Sequence, residues 1–335
     1  MSLTTDRVST TDRVSTTESS ATTDVFTSMV ERLSRQSVDK HFDAYEDVAW
    51  DDPELAIVAT DPRFASWHFD PVGQTAWYRT QSPDMQARFG LHRVATAMRI
   101  GWEFENILQR GLLEYAFWLP NFRPEFRYIH HEIAEESQHT MMFQEFINRS
   151  GVDVDGMPVA MKVLSRVVVW FSRVFPELFF LFVLGGEDPV DYLQRRQLRG
   201  GDPHPLVERI MRIHVTEEAR HLSFARQYLK RSVPKLGVVR RRILADVAPL
   251  LFGSMARLMV FPTKQTVKAF GIPRRELRAA LGSAESKQLL VQSVAKPRKL
   301  CAELGLMTAP AKALWKLMGV WDDDAATAGN EDVAA

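Results

Sequence analysis

The sequence predicts an all-α protein, a helical bundle with additional flanking helices. Apolar residues recur at spacings of three and four through most of the chain, and Gly and Pro cluster between long segments and seldom inside them. No alternating β pattern runs longer than a few residues, and no Gly-rich phosphate loop follows a strand. With 335 residues, 45% of them hydrophobic, the chain can fill a sizeable core.

Taken in order, the chain opens on a repeat, TTDRVS at Thr4 to Ser9 and again at Thr10 to Ser15, then TTESSATTD. Residues 1–24 hold too little apolar surface to fold and read as a disordered tail. They also lack the run of roughly seven or more apolar residues of a signal peptide. The helical domain is expected over residues 25–320. Its most apolar stretch, Val167 to Leu184, approaches the length of about 20 residues that spans a bilayer. Arg173, Pro176 and Glu177 interrupt it, so a helix buried inside the bundle is expected there, not a membrane span. Turns are expected at Asn148 to Gly151, at Asp202-Pro203-His204-Pro205 and at Gly271-Ile272-Pro273. Residues 321–335 are acidic and small and read as a flexible tail.

Composition narrows the function. Lys+Arg and Asp+Glu both number 42, a formal net charge of zero, so a global grip on nucleic acid or an anionic membrane is not expected. The one cysteine, Cys301, closes no intrachain disulfide and excludes thiolate metal cages and Cys-x-x-Cys redox chemistry. A reducing, cytoplasmic setting is expected, and any metal falls to His, Asp and Glu.

Two segments share one form. Glu135-Glu136-Ser137-Gln138-His139 and Glu217-Glu218-Ala219-Arg220-His221 are both Glu-Glu-x-x-His on an expected helix. Positions i and i+3 lie on one helix face, so Glu136 with His139, and Glu218 with His221, each present an oxygen and a nitrogen to one metal. A dinuclear carboxylate bundle needs one further Glu from each of two other helices. Counting back 31 residues from Glu136 reaches Glu105, and counting back 31 from Glu218 reaches Glu187. The set Glu105, Glu136, His139 is thus repeated 82 residues later as Glu187, Glu218, His221. Glu103 rivals Glu105, since it lies two residues away and faces elsewhere on a helix. His214 precedes Glu218 by four and His221 by seven, so at about 100° per residue all three share one face. Its placement makes it a candidate seventh ligand.

The run Ile213-His214-Val215-Thr216-Glu217-Glu218-Ala219-Arg220-His221, with Glu-Glu-Ser-Gln-His upstream and Glu187 between, resembles the para-aminobenzoate N-oxygenase (AurF-like) group of ferritin-like di-iron enzymes. The likeness extends over about residues 85 to 310 and is most specific in His-x-x-x-Glu-x-x-His. The resemblance implies a ferritin-like helical bundle with seven protein ligands: Glu105, Glu136, His139, Glu187, His214, Glu218 and His221. Glu135 and Glu217 stand where family members often carry an Asp that orients a ligating His.

The resemblance also implies chemistry. Two iron ions are expected, although carboxylate and imidazole donors suit manganese as well. With O2 as cosubstrate and a peroxo-diferric intermediate, the implied reaction is N-oxygenation of an amine, arylamine to hydroxylamine and onward to nitro. Phe104, Met141, Met142, Phe143, Phe179 and Phe180 are candidates for a dry apolar shell around the metals. Three other readings use the same metal core: a carbon hydroxylase or desaturase, a non-enzymatic ferritin-like iron store, and a radical subunit using Tyr115, Tyr128, Tyr192 or Tyr228. No flavin or nicotinamide fingerprint is present, so electrons are expected from an external donor, and the expected assembly is a homodimer.

Near the C-terminus, Pro297-Arg298-Lys299-Leu300-Cys301-Ala302-Glu303-Leu304-Gly305-Leu306 also resembles a family segment. There, an arginine six residues before the Arg-Lys pair holds the substrate carboxylate, and this chain has Gln292 at that position. A neutral amide supplies no bidentate, charge-assisted pair. An uncharged or larger amine is therefore expected, with Gln292 near its distal end; a shift of one turn in this comparison would instead leave Arg298 to meet a carboxylate.

Overall fold

The computed structural model describes residues 24–65 and 70–321. The tails expected at 1–24 and 321–335 fall outside it except for Asp24 and Trp321 at its edges. The described residues form helices and no strand, as the periodicity predicts.

Helix α1 (Val25–Asp39) is followed by a short 3-10 turn at Pro53–Leu55 and two single-turn helices, α2 (Pro62–Ala65) and α3 (Ala76–Arg79). Then come the long elements: α4 (Pro83–Phe117), α5 (Glu125–Ser150), α6 (Val159–Val174), α7 (Pro176–Gly200) and α8 (Pro205–Ser232). A C-terminal layer follows, comprising α9 (Val238–Val260), α10 (Lys264–Ala269), α11 (Arg274–Gly282), α12 (Ala284–Ser293), α13 (Ala295–Glu303) and α14 (Ala309–Leu317).

The helices begin and end where local chemistry dictates. Ser82 caps α4 by accepting from the Met85 backbone N–H, with Pro83 at the first helical position and Asp84 in the first turn. Helix α5 stops at Gly151, which takes φ 63°, a left-handed conformation that costs glycine nothing. The 201–204 link and the 270–273 turn also fall at expected signals.

Helices α4 and α5 pack along each other as a hairpin, and α7 and α8 form a second one. The two hairpins meet through α5 against α8 and α4 against α7, so the four helices enclose one interior. This is the physical content of the 82-residue repeat. Helix α6 carries the chain between the hairpins, packing on α4 and α7, while α1 covers α5 and α8, and α9 covers α7. Buried aromatic side chains, including Tyr128, Phe179, Phe180, Phe224 and Phe252, fill the core at one end of the bundle.

One expectation is corrected. Val167 to Leu184 is not a single buried helix: Phe175, at φ −149° and ψ 67°, breaks it, and Pro176 starts α7. A residue before proline is pushed out of the helical region by the pyrrolidine ring, which explains the break. The α7 part is buried, whereas Val163, Leu164, Val167 and Trp170 of α6 are exposed. Among the described residues, the stretch long and apolar enough to cross a membrane is instead Val238–Ala269, and half of its most apolar window is buried inside the fold. It is interrupted at Phe261, where α9 ends.

Candidate metal centre

The ligand candidates reach the interior from all four helices of the two hairpins. Glu105 comes from α4, Glu136 and His139 from α5, Glu187 from α7, and His214, Glu218 and His221 from α8. All seven are buried, none more than 2% exposed. Their donor atoms form two groups within which every atom lies within 4.8 Å of the others. One group is Glu105, His139, His214 and Glu218; the other is Glu136, Glu187, Glu218 and His221.

Glu218 belongs to both groups. Its Oε1 lies 3.6 Å from His139 Nδ1, 3.6 Å from His214 Nε2 and 3.4 Å from His221 Nδ1. Glu136 straddles the centre too, with Oε2 3.1 Å from His139 Nδ1 and Oε1 3.0 Å from His221 Nδ1. Both carboxylates thus face His139 on one side and His221 on the other.

The far sides of His139 and His221 are held from the opposite hairpin. His139 Nε2 is 2.9 Å from Glu217 Oε2, and His221 Nε2 is 2.7 Å from Glu135 Oε2. Arg220 Nη2 pairs with Glu135 Oε1 at 2.8 Å and reaches Glu217 Oε1 at 3.4 Å, tying these two acids together. His214 Nδ1 lies 2.9 Å from Gln194 Oε1, while its Nε2 faces Glu105 Oε1 at 3.3 Å.

Glu103 does not share the site. Its carboxylate accepts from the Met157 backbone N–H at 2.6 Å and pairs with Lys162 at 2.7 Å and Arg99 at 3.2 Å. Helical geometry explains the division, since two residues turn a side chain by about 200°. Gly156 allows this contact: a Cβ there would sit 2.2 Å from Glu103 Oε2.

Electrostatics test whether cations fit. Burial, followed by the charges of Glu136 and Glu218, pushes Glu105 well above the usual carboxylate range. Burial, Glu218 and Glu136 do the same to Glu187. Burial opposes charge on Glu136 as well, but His221 and its hydrogen-bond partners hold it well below that range. On the imidazoles burial again opposes charge; Glu136 and Glu217 nevertheless raise His139 to about 10, and Glu136 and Glu218 raise His221. His214 has no comparable support, and burial lowers it to about 4, so it stays neutral. Glu105 Oε2, both oxygens of Glu187 and Glu218 Oε2 are buried without a hydrogen-bond partner. Stranded buried acceptors cost about 1–3 kcal/mol each, and more when charged, so four of them in one place call for cations. The residues fit a pair of divalent ions held by carboxylate and imidazole.

Helix α7 is adapted where it delivers Glu187. Pro189 removes the N–H that would bond the Gly185 carbonyl, loosening the helix at this point. The Phe104 ring lies against Gly186, where a Cβ would fall 1.8 Å from its Cζ. Phe104 and Phe143 line a cavity of about 110 Å³ whose wall includes Glu105, Glu187 and His214. Of the six candidates for an apolar shell, these two line the cavity. Met142 is buried beside Phe143, Met141 is exposed, Phe180 packs with Tyr115 and Phe224, and Phe179 packs on Phe180.

Gln292 is displaced from its expected place. It sits on the outer side of α12, its Oε1 accepting from the Tyr192 hydroxyl at 2.5 Å, while Leu289 of the same helix lines the cavity. Arg298 gives Nη1 to the Val291 and Val320 carbonyls at 3.1 and 2.7 Å and stacks over Trp321. A residue count along the chain does not convey which face of a short helix turns inward.

Three neighbours went unread in the sequence. Arg220 lies inside the second Glu-Glu-x-x-His segment, where the unusual placing of a cation between Glu218 and His221 was the available signal. Gln194 carries none. Glu132, one turn before Glu136, is fully buried; burial raises its carboxyl to about 8 against the pull of His221. Neither of its oxygens, nor the Tyr128 hydroxyl, meets a partner in good hydrogen-bond geometry.

Two helical hairpins that gather four carboxylates and three imidazoles into one buried centre define a helical-bundle protein with a candidate dinuclear metal site. The family model "P-aminobenzoate N-oxygenase AurF" matches residues 24–305, and the chain belongs to that family, a family of di-iron oxygenases. It is also similar to an uncharacterized protein of Mycobacterium tuberculosis and to one of Mycobacterium bovis. Each is 42% identical over 295 residues, which cover 87% of this chain and 86% of the relative.

Proposed function

We propose that this protein is an O2-dependent di-iron N-oxygenase that converts an amine to its hydroxylamine and onward to the nitro compound. The observation that carries the reading is the pair of ligand groups joined through Glu218, which open on an apolar cavity through Glu105 and His214 of one group and Glu187 of the other. Glu105, His139, His214 and Glu218 would hold one iron, and Glu136, Glu187, Glu218 and His221 the other. Bound iron supplies the electrons that reduce O2 and the oxidising power that reaches the amine.

The remaining work belongs to the chain's own residues. Glu217 and Glu135 fix the rings of His139 and His221 so that both Nδ1 atoms face the centre. Gln194 Oε1 takes the His214 Nδ1–H and leaves Nε2 for metal. Phe104 and Phe143 keep water from the space between the metals and the cavity, which favours an aniline whose nitrogen lone pair is unprotonated. The electron donor is an external reductant.

Metal analysis followed by rapid mixing of the reduced protein with O2 and an arylamine panel tests the reading. Close to two irons per chain and formation of hydroxylamine or nitro product are expected. Products oxidised only at carbon would replace it with a hydroxylase, and thousands of irons per assembly would replace it with a store.

A further inference from the structure

The cavity beside Glu105, Glu187 and His214 runs between α4, α7 and α8 and is closed by Met259, Val260 and Leu289. Its wall is chiefly apolar, with Val94, Met98, Val190, Leu193 and Met211 among its members. At the metal end, the polar groups are acids, an imidazole and the Gln194 amide that bonds it; elsewhere they are one neutral amide, Gln197, and one guanidinium, Arg93.

Each nitrogen of the guanidinium already donates a hydrogen bond. Arg93 Nε donates to Asp70 Oδ2 at 2.6 Å, Nη1 to the Phe261 carbonyl at 3.2 Å, and Nη2 to the Val260 carbonyl at 3.0 Å. Arg93 is 5% exposed and Asp70 1%. Asp70 also accepts from the Val72 backbone N–H at 2.8 Å, so it is fixed in place. Turning Arg93 towards a ligand would take the cation from a buried carboxylate and these donors from two carbonyls, and an acid entering the cavity does not recover that loss. Among the described residues lining the cavity there is no lysine or second arginine. A carboxylate at the end of the cavity away from Glu105 and Glu187 would lose its water, find no uncommitted cation in the wall and sit among apolar side chains.

We infer that the amine is neutral beyond its reacting nitrogen: a single-ring arylamine whose far end is apolar or carries an uncharged hydrogen-bonding group that meets Gln197. This rests on the N-oxygenase reading and names its substrate class. At about 110 Å³ the cavity is of the same order as the apolar cavity of roughly 150 Å³ that takes up benzene, which limits the amine to a single ring.

Anaerobic equilibrium binding to the iron-loaded protein, read by calorimetry, compares para-aminobenzoate with its methyl ester. The two share ring and amine and differ in charge. The ester is expected to bind at least tenfold tighter. Gln197→Arg, which brings an uncommitted cation to the wall, is expected to strengthen acid binding tenfold or more and leave the ester unimproved. Asp70→Asn, which releases Arg93 Nε, should move the preference the same way and serves if Gln197→Arg does not fold. Equal or tighter binding of the acid by the wild type overturns the inference, and so does failure of the two-iron protein to bind either compound. Because no O2 is present, an ester that binds but is not oxidised once O2 and reductant are added leaves this inference intact and counts against the proposed reaction.

Discussion

Glu217 Oε2 on α8 lies 2.9 Å from His139 Nε2 on α5, and the contact is reciprocated by Glu135 Oε2 on α5, 2.7 Å from His221 Nε2 on α8. Each hairpin therefore orients the other's imidazole, and Arg220 spans the two acids. Glu217→Ala and Glu135→Ala should each lower metal affinity about 10–100-fold while the far-ultraviolet dichroism stays helical. Metal titration of the purified variants measures this; affinities within twofold of wild type would remove the orienting role.

Glu136 and Glu218 each stand between imidazoles on both sides of the centre. Alanine at either should abolish loading of both ions, whereas Glu103→Ala, which cuts contacts to Met157 and Lys162, should leave metal content unchanged. Elemental analysis after reconstitution separates the cases. Normal loading in both Glu136→Ala and Glu218→Ala would sink the ligand assignment.

His214 completes a set that already holds six donors, and burial keeps it neutral. His214→Ala is expected to retain the helical fold and to change the rate or spectrum of the reaction with O2. Stopped-flow absorption decides, and an unchanged trace would return His214 to a packing role.

Gly111 lies six residues beyond Glu105 on α4, about 9 Å along the helix. A Cβ there would fall 2.2 Å from Phe179 Cε2, and Phe179 is fully buried. Gly111→Ala should destabilise the bundle by about 1–3 kcal/mol through overpacking, with metal content per folded chain unchanged. Urea unfolding monitored by dichroism gives the value, and a stability equal to wild type would show that Phe179 moves aside freely.

Cys301 is 1% exposed, and burial pushes its thiol up to about 12. The reactive thiolate is therefore suppressed in the folded state across pH 7–9, and labelling requires the chain to open. Iodoacetamide should leave Cys301 unmodified in native protein and alkylate it in denaturant. Rapid native labelling at pH 8 would contradict the packing of α13.

Sequence alone determined the helical class, because periodicity and capping residues act within a few positions. It also determined the pairing of Glu136 with His139 and of Glu218 with His221, because three residues of α-helix put two side chains on one face wherever the helix lies. The common offset of 31 residues to Glu105 and Glu187 was legible as well, since it measures one passage along a helical hairpin and back. Tertiary structure decided the rest. It sent Glu103 to Lys162 and Met157 and left Glu105 in the interior. It crossed the ligands between hairpins, so that His139 groups with Glu105 and His214 while Glu136 groups with Glu187 and His221. It put Gln292 on Tyr192 and committed Arg93 to Asp70. Those outcomes depend on groups 20 to 170 residues apart meeting in a space that no single helix defines: a helix face is a local property, and a cavity wall belongs to all the elements that enclose it.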